Sequence, residues 1–177
     1  MGTDKQFKPK IFTNTDIPSD YIFRRCTSKD LDGVIEVNEA ELPEDYPYFF
    51  YKSILDHYPE SFLVALERNN LNNVVGYVMW RIEKTPSLSN LKLDRKGHLV
   101  SIAVSEEHRR KKIATVLLNK SIPAIRKHGI SSYVLEVRIS NYSAIELYKK
   151  LNFKIEKIKE NYYRDGENAY YMVKEFK

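Results

Sequence analysis

Between residues 99 and 127 the chain passes from an apolar run, Leu99–Val104, through Glu107-His108-Arg109-Arg110-Lys111-Lys112 into a helical pattern, Ile113–Lys127. Four consecutive cations at a helix start carry the wrong sign for that end, where the macrodipole already places partial positive charge. An anion resolves the conflict, because the first N–H groups of a helix lack intrahelical acceptors and basic side chains reinforce them. The plain alternative is a solvated charge run. The position between a strand and a helix favours a phosphate cradle.

The rest of the chain alternates in the same manner. Residues 1–20, with Pro9 and Pro18 and no clear period, read as a loosely ordered extension preceding a domain over 21–177. Tyr21–Cys26 is a strand candidate, and Thr27-Ser28-Lys29-Asp30 is a helix start with Thr27 or Ser28 capping. Leu31, Val34, Ile35, Asn38 and Leu42 recur at helical spacing until Pro43 stops the helix. A short helix over Pro47–His57 follows, then strands at Phe62–Glu67 and Val74–Glu83 around the turn-rich 69–73, then a polar loop at Thr85–Arg95. Gly97–Val104 is the next strand. The helix Lys112–His128 ends on Gly129 as a left-handed cap, with Pro123 inside it expected to kink or shorten it. Tyr133–Val137 reads as a strand and Ser143–Leu151 as a helix, with Asn152 in a left-handed cap. Lys154–Tyr163 and Asn168–Phe176 close the chain as a hairpin around 164–167. This order implies an α/β fold with a mixed sheet covered by helices, not an all-parallel doubly wound one.

The 177 residues suit one domain with a sizeable core. A net charge of +5 points to acidic or phosphate-bearing partners. The single cysteine, Cys26, excludes an internal disulfide and makes a reducing compartment the default. Met1–Asp20 lacks a signal-peptide core and no run approaches the ~20 apolar residues of a membrane span. The expectation is a cytoplasmic protein without a membrane partner.

Gly97-His98-Leu99-Val100-Ser101-Ile102-Ala103-Val104 followed by Arg109-Arg110-Lys111-Lys112-Ile113-Ala114 resembles the central motif of the GCN5-related N-acetyltransferases, a strand leading into Arg/Gln-x-x-Gly-x-Gly/Ala. Leu135-Glu136-Val137-Arg138, Asn141, Ala144, Leu147-Tyr148 and Phe153 resemble the second conserved block of that family. More narrowly, Leu42-Pro43-Glu44-Asp45-Tyr46, Lys96-Gly97-His98 and Tyr162–Tyr170 are similar to the archaeal protein amino-terminal acetyltransferases. Those are relatives of the catalytic subunit of the eukaryotic amino-terminal acetyltransferase A and of the bacterial ribosomal-protein alanine acetyltransferases.

The resemblance implies a mixed, mostly antiparallel sheet of six to seven strands flanked by four helices, with acetyl-coenzyme A as donor. It implies that the backbone of Ile102, Ala103 and Val104 pairs with pantetheine, and that Arg109, Arg110, Lys111, Lys112, Ile113, Ala114 and Thr115 hold the diphosphate. Asn141, Ala144 and Tyr148 complete the cofactor side. Lys112 stands where the family has glycine. A negative φ is expected there, so that lysine fits the backbone and adds only its side chain, directed outward.

Acetyl transfer needs a neutral amine, a polarised carbonyl and a proton for the departing thiolate. The α-amine, which ordinarily titrates at ~7.7–8.0 against ~10.4 for lysine, asks less of a base. Candidates for the base are His98, Glu136 and Glu44. A lone histidine in an apolar strand is by default a satisfied core residue, and the family position of His98 favours the functional reading. Glu136 in a buried strand is costly unless paired or raised in pKa, and Arg138, two residues on, shares its strand face. Tyr148 matches the family's proton donor to the thiolate, although packing alone explains a tyrosine on that helix; capping alone explains Asn141 equally well. Leu42, Pro43, Glu44, Tyr46, Tyr162 and Tyr163 would wall a groove for the first residues of a substrate chain, and the hairpin over 159–170 would exclude an internal lysine.

The expected partners are protein or peptide amino termini, with the ribosome as a docking site suggested by the positive charge. No metal ligand set is assigned. The competing readings are a nucleic-acid-binding module, disfavoured because the basic cluster is short and joins no recognised motif, a lysine or small-molecule acetyltransferase, and a non-catalytic acyl-coenzyme-A sensor.

Overall fold

The structure, a computed structural model, describes residues 17–86 and 93–176. The first sixteen residues of the expected extension, and 87–92 of the expected polar loop, lie outside the described residues. The strands are β1 (Tyr21–Arg25), β2 (Leu63–Glu67), β3 (Asn70–Pro86), β4 (Leu93–Val104), β5 (Ser132–Arg138), β6 (Lys154–Lys159) and β7 (Ala169–Glu175). The helices are α1 (Leu31–Glu41), α2 (Tyr48–His57), α3 (Ile113–Arg126) and α4 (Tyr142–Lys150). One sheet of order β1-β2-β3-β4-β5-β7-β6 joins all seven strands. Among the described residues only β4 and β5 pair in parallel; the other ladders are antiparallel.

Side-chain alternation sorts the sheet into two faces. Val78 and Trp80 of β3, Leu99 of β4 and Leu135 and Val137 of β5 pack under α3 and α4. Tyr77 and Met79 of β3 and Ala103 of β4 pack under α1 and α2. The chemistry therefore belongs to the second face: Arg81 and Glu83 follow Tyr77 and Met79 at period two, His98 lies opposite Arg81, and Glu136 and Arg138 alternate with Leu135 and Val137.

Two local features open the sheet. The β4–β5 ladder covers only Lys96↔Ser132, Gly97↔Tyr133 and His98↔Val134. Immediately beyond, β4 carries an extra residue against β3, since Leu99 pairs Trp80 and Ser101 pairs Met79, leaving Val100 as a bulge that bends the strand. Past His98 the two strands separate, and the edge of β4 facing β5 loses its ladder partner. Gly97 marks the last point of close packing: a Cβ there would approach Ile130 Cδ1 to 2.7 Å.

The strands β3 and β4 run into Thr85 and Arg95, so much of the expected loop is hairpin ladder, with Glu83↔Lys96 and Thr85↔Asp94 paired. A polar two-stranded extension needs no apolar alternation, which is why the pattern did not announce it. Helix α3 runs three residues beyond Pro123 and ends at Arg126, two short of the expected His128. Gly129 and Asn152 both take the left-handed conformation expected of them. Among the described residues no helix is long and apolar enough to cross a membrane.

Candidate active site

The separation of β4 from β5 produces a cleft of about 1640 Å³ that runs from the α1–α2 loop to the start of α3. At its centre His98 Nε2 lies 2.6 Å from Glu136 Oε2. Both side chains are more than nine-tenths buried. On the other side of the ring, Nδ1 is buried and lies 2.8 Å from Glu83 Oε1, in ionic contact but off the line of a straight hydrogen bond. Arg81 Nη2 reaches that same oxygen at 2.9 Å, and Lys159 pairs with the far oxygen of Glu136. Five alternating charges thus cross the sheet from β3 to β6: Arg81, Glu83, His98, Glu136, Lys159.

These neighbours set the charge states. Burial alone would lower the pKa of His98; the contacts with Glu136 and Glu83 outweigh it and raise the value, favouring the imidazolium. Burial would raise Glu136, and His98 and Lys159 together hold it below the usual carboxylate value. Glu83 is held down to about 2, first by His98, against its own burial, and then by Arg81. His98 and Glu136 therefore form a pair sharing one tightly held proton.

At the other end, the α3 ladder begins with Val116 N–H donating to Lys112 O. That leaves the N–H groups of Ile113, Ala114 and Thr115 without ladder partners, and all three residues line the cleft. The turn before them departs from expectation. Arg110 and Lys112 have φ of 63° and 64°, so Lys112 caps the helix in the left-handed region instead of the negative φ expected. A turn that alternates into the left-handed region points successive N–H groups at one spot, an anion-binding nest. The conformation also explains why glycine is the usual occupant. Arg109 is tied back by an ion pair to Glu41, whose other oxygen accepts Glu106 N–H at 2.8 Å, so the C-terminus of α1 braces this turn.

The acceptor side is built from two loops. Asn38, fully buried in α1, donates to Glu44 O at 2.6 Å and fixes the turn Leu42-Pro43-Glu44. Tyr46 stacks on Phe50 with centroids 4.8 Å apart. From the β6–β7 loop, Tyr162 and Tyr163 pack edge to face at 5.1 Å. Arg138 holds the two loops together: it pairs with Glu44 of the first, with Asp165 at 2.8 Å and Glu167 at 2.7 Å of the second, and lies 4.0 Å above the Tyr163 ring.

Of the residues expected at the site, His98, Glu136, Glu44, Tyr148, Ile102, Ala103, Val104, Arg109, Arg110, Lys112, Ile113, Ala114, Thr115, Asn141, Ala144, Leu42, Pro43, Tyr46, Tyr162 and Tyr163 all line this one cleft. Lys111, exposed between the two left-handed residues, does not. Asn141 caps α4 by accepting Ala144 N–H at 3.1 Å. Tyr148 is buried against Phe153. Glu44 and Arg138 engage each other, and Glu136 pairs instead with His98 and Lys159. Sequence reasoning misses Glu83, Arg81 and Lys159. Arg81-Ile82-Glu83, charged at period two at the end of an apolar strand, is the available signal for the first two.

The geometry agrees with known proteins. The acetyltransferase (GNAT) family matches residues 25–153. An N-alpha-acetyltransferase of Saccharolobus solfataricus is 48% identical over 160 residues, covering 88% of this chain and 93% of that protein. The N-terminal acetyltransferase A complex catalytic subunit NAA10 of Arabidopsis thaliana is 35% identical over 156 residues, covering 87% and 77%. Among solved structures, Ard1 from Thermoplasma volcanium superimposes with a TM-score of 0.75 at 27% identity, covering 89% of this chain and 99% of that one. With sheet order, cleft and sequence in agreement, this protein belongs to the GNAT family of acetyltransferases.

Proposed function

We infer that the protein transfers the acetyl group of acetyl-coenzyme A to the α-amino group of protein amino termini. The observation that carries this is the continuity of the cleft. The orphaned N–H groups at the start of α3, the unpaired edge of β4 and the His98–Glu136 pair follow one another along one wall, and the two aromatic loops close its far end.

The residues fit a diphosphate-bearing thioester. The nest at 110–112 and the N–H groups of 113–115 suit the diphosphate, and the free edge of β4 suits an extended amide chain. Acetyl-coenzyme A supplies the electrophilic carbonyl. The amine nitrogen forms its bond to that carbonyl carbon as the carbon–sulfur bond breaks. The proton released by nitrogen passes to the His98–Glu136 pair, directly or through water, once the pair has shed the proton it shares; transfer therefore rises with pH. Tyr148, kept a neutral phenol by its burial, lines the cleft and is the group that would return a proton to the thiolate. Glu44, engaged by Arg138, serves the groove wall in this scheme and not proton transfer.

Glu136→Gln tests the assignment. It keeps the shape of the side chain and removes its basicity, so kcat for acetylation of a peptide α-amine falls by about 10²-fold or more, while acetyl-coenzyme A binding by calorimetry stays within about twofold. Unchanged kcat removes the pair from the chemistry. The charge of +5 suits docking at the ribosome as part of the same proposal.

A further inference from the structure

Glu83 stands outside the wall of the cleft, yet it touches the one ring that the proton transfer uses. We propose that Glu83 is the positioning residue of the proton-transfer centre: from β3 it fixes the orientation and charge of His98 on the side opposite Glu136. The inference rests on the reading of His98 and Glu136 given above.

Three observations support it. First, His98 has a carboxylate at each nitrogen, Glu83 Oε1 at 2.8 Å from Nδ1 and Glu136 Oε2 at 2.6 Å from Nε2. A ring held at both ends cannot rotate about its χ2 axis without breaking an ionic contact in a buried setting, where that is costly. Second, the arrangement is set by the β3–β4 ladder. His98 is the cross-strand partner of Arg81, and Glu83 lies two residues on, diagonal to it on the same face. Third, Arg81 binds the same oxygen of Glu83 that faces Nδ1. Arg81 and His98 compete for one carboxylate oxygen, so the two cations tune each other through Glu83.

The groups bearing on His98 are Glu83 of β3 and Glu136 of β5; Arg81 acts on it through Glu83, Lys159 of β6 through Glu136, and the phenols of Tyr46, Tyr162 and Tyr171 lie near these same charges. The phenols carry no charge in the working range, because burial raises all three. Among these charges Glu83 alone contacts Nδ1, so its removal changes the ring while leaving the Nε2 pair in place.

The test is to follow the His98 ring by NMR of the folded chain, in parallel with the pH dependence of kcat. In Glu83→Gln the His98 titration midpoint drops by about one pH unit, and the acid limb of kcat moves down with it. In Arg81→Gln the midpoint moves up, because Glu83 then serves His98 alone. The KM for acetyl-coenzyme A stays unchanged in Glu83→Gln, and Glu83→Asp restores the wild-type midpoint in part. A midpoint unmoved in Glu83→Gln, or moving the same way in both variants, overturns the inference. A midpoint that drops while the kcat limb stays put upholds Glu83 as the residue setting His98 and instead refutes the ring as proton acceptor. Should Glu83→Gln fail to fold, Arg81→Gln decides: a His98 midpoint that rises supports the contact with Glu83, and one that stays or falls contradicts it.

Discussion

Lys112 shows how a single backbone angle can carry the meaning of a motif. Its φ of 64° lies where side chains with a Cβ are strained by about 1–2 kcal/mol, and the neighbouring Arg110 shares the conformation. The strain is placed where N–H groups must converge on an anion. Lys112→Gly therefore keeps stability within about 1 kcal/mol of the parent, because relief of strain offsets the added freedom of the unfolded chain. Lys112→Val, a β-branched residue in the same angle, costs more than about 1 kcal/mol and weakens acetyl-coenzyme A binding. Chemical denaturation and calorimetry on the two variants check this. Equal losses for glycine and valine would assign the role of Lys112 to its charge. Motif likeness places this residue at the phosphate turn, and the family's glycine there is the signal for the left-handed angle; the expectation of a negative φ treats the position as an ordinary right-handed helix start.

The element that fixes the acceptor side is α1, and its start is specified by one carboxylate. Asp30 accepts two hydrogen bonds at 2.7 Å from the Arg24 guanidinium and two more at 2.7 Å from Thr27 N–H and Oγ1. It is buried, and although burial would raise its pKa, Arg24 and Thr27 hold it below the ordinary carboxylate value. A depressed carboxylate contributes stability that is present above its unfolded pKa of ~3.9 and is lost as pH falls through the lower folded value. Asp30→Asn accordingly destabilises the chain by about 1–3 kcal/mol at neutral pH, and the gap from wild type narrows as pH falls below about 4. A gap independent of pH would mean that the loss is one of packing. The helix start was legible because Thr-x-x-Asp before an apolar period is a local signal. The length of the β3–β4 hairpin was not, because its described end, where Lys84 and Thr85 pair with Arg95 and Asp94, offers no apolar alternation.

Across the molecule, the site is assembled from segments far apart in sequence: Glu44 after α1, Glu83 on β3, His98 on β4, Glu136 and Arg138 on β5 and Lys159 on β6. Motif spacing and family likeness brought most of the cleft lining together in advance. Spacing could not reveal which charges meet across it, since Arg138 reaches Glu44 over 94 positions and His98 reaches Glu136 over 38. Such pairings depend on strand order and on the bulge at Val100, neither of which any single segment encodes. The same arrangement explains selectivity. Two aromatic loops latched by Arg138 narrow the acceptor end so that it admits a chain terminus, and a pair sharing one proton suits an amine with a pKa of ~7.7–8.0 better than one of ~10.4. The decisive measurement is mass-spectrometric localisation of acetyl groups on a peptide carrying both a free α-amine and an internal lysine, incubated with acetyl-coenzyme A and the protein. Acetylation confined to the α-amine is the predicted result, and equal rates at the lysine, or no transfer to either amine, would contradict the account.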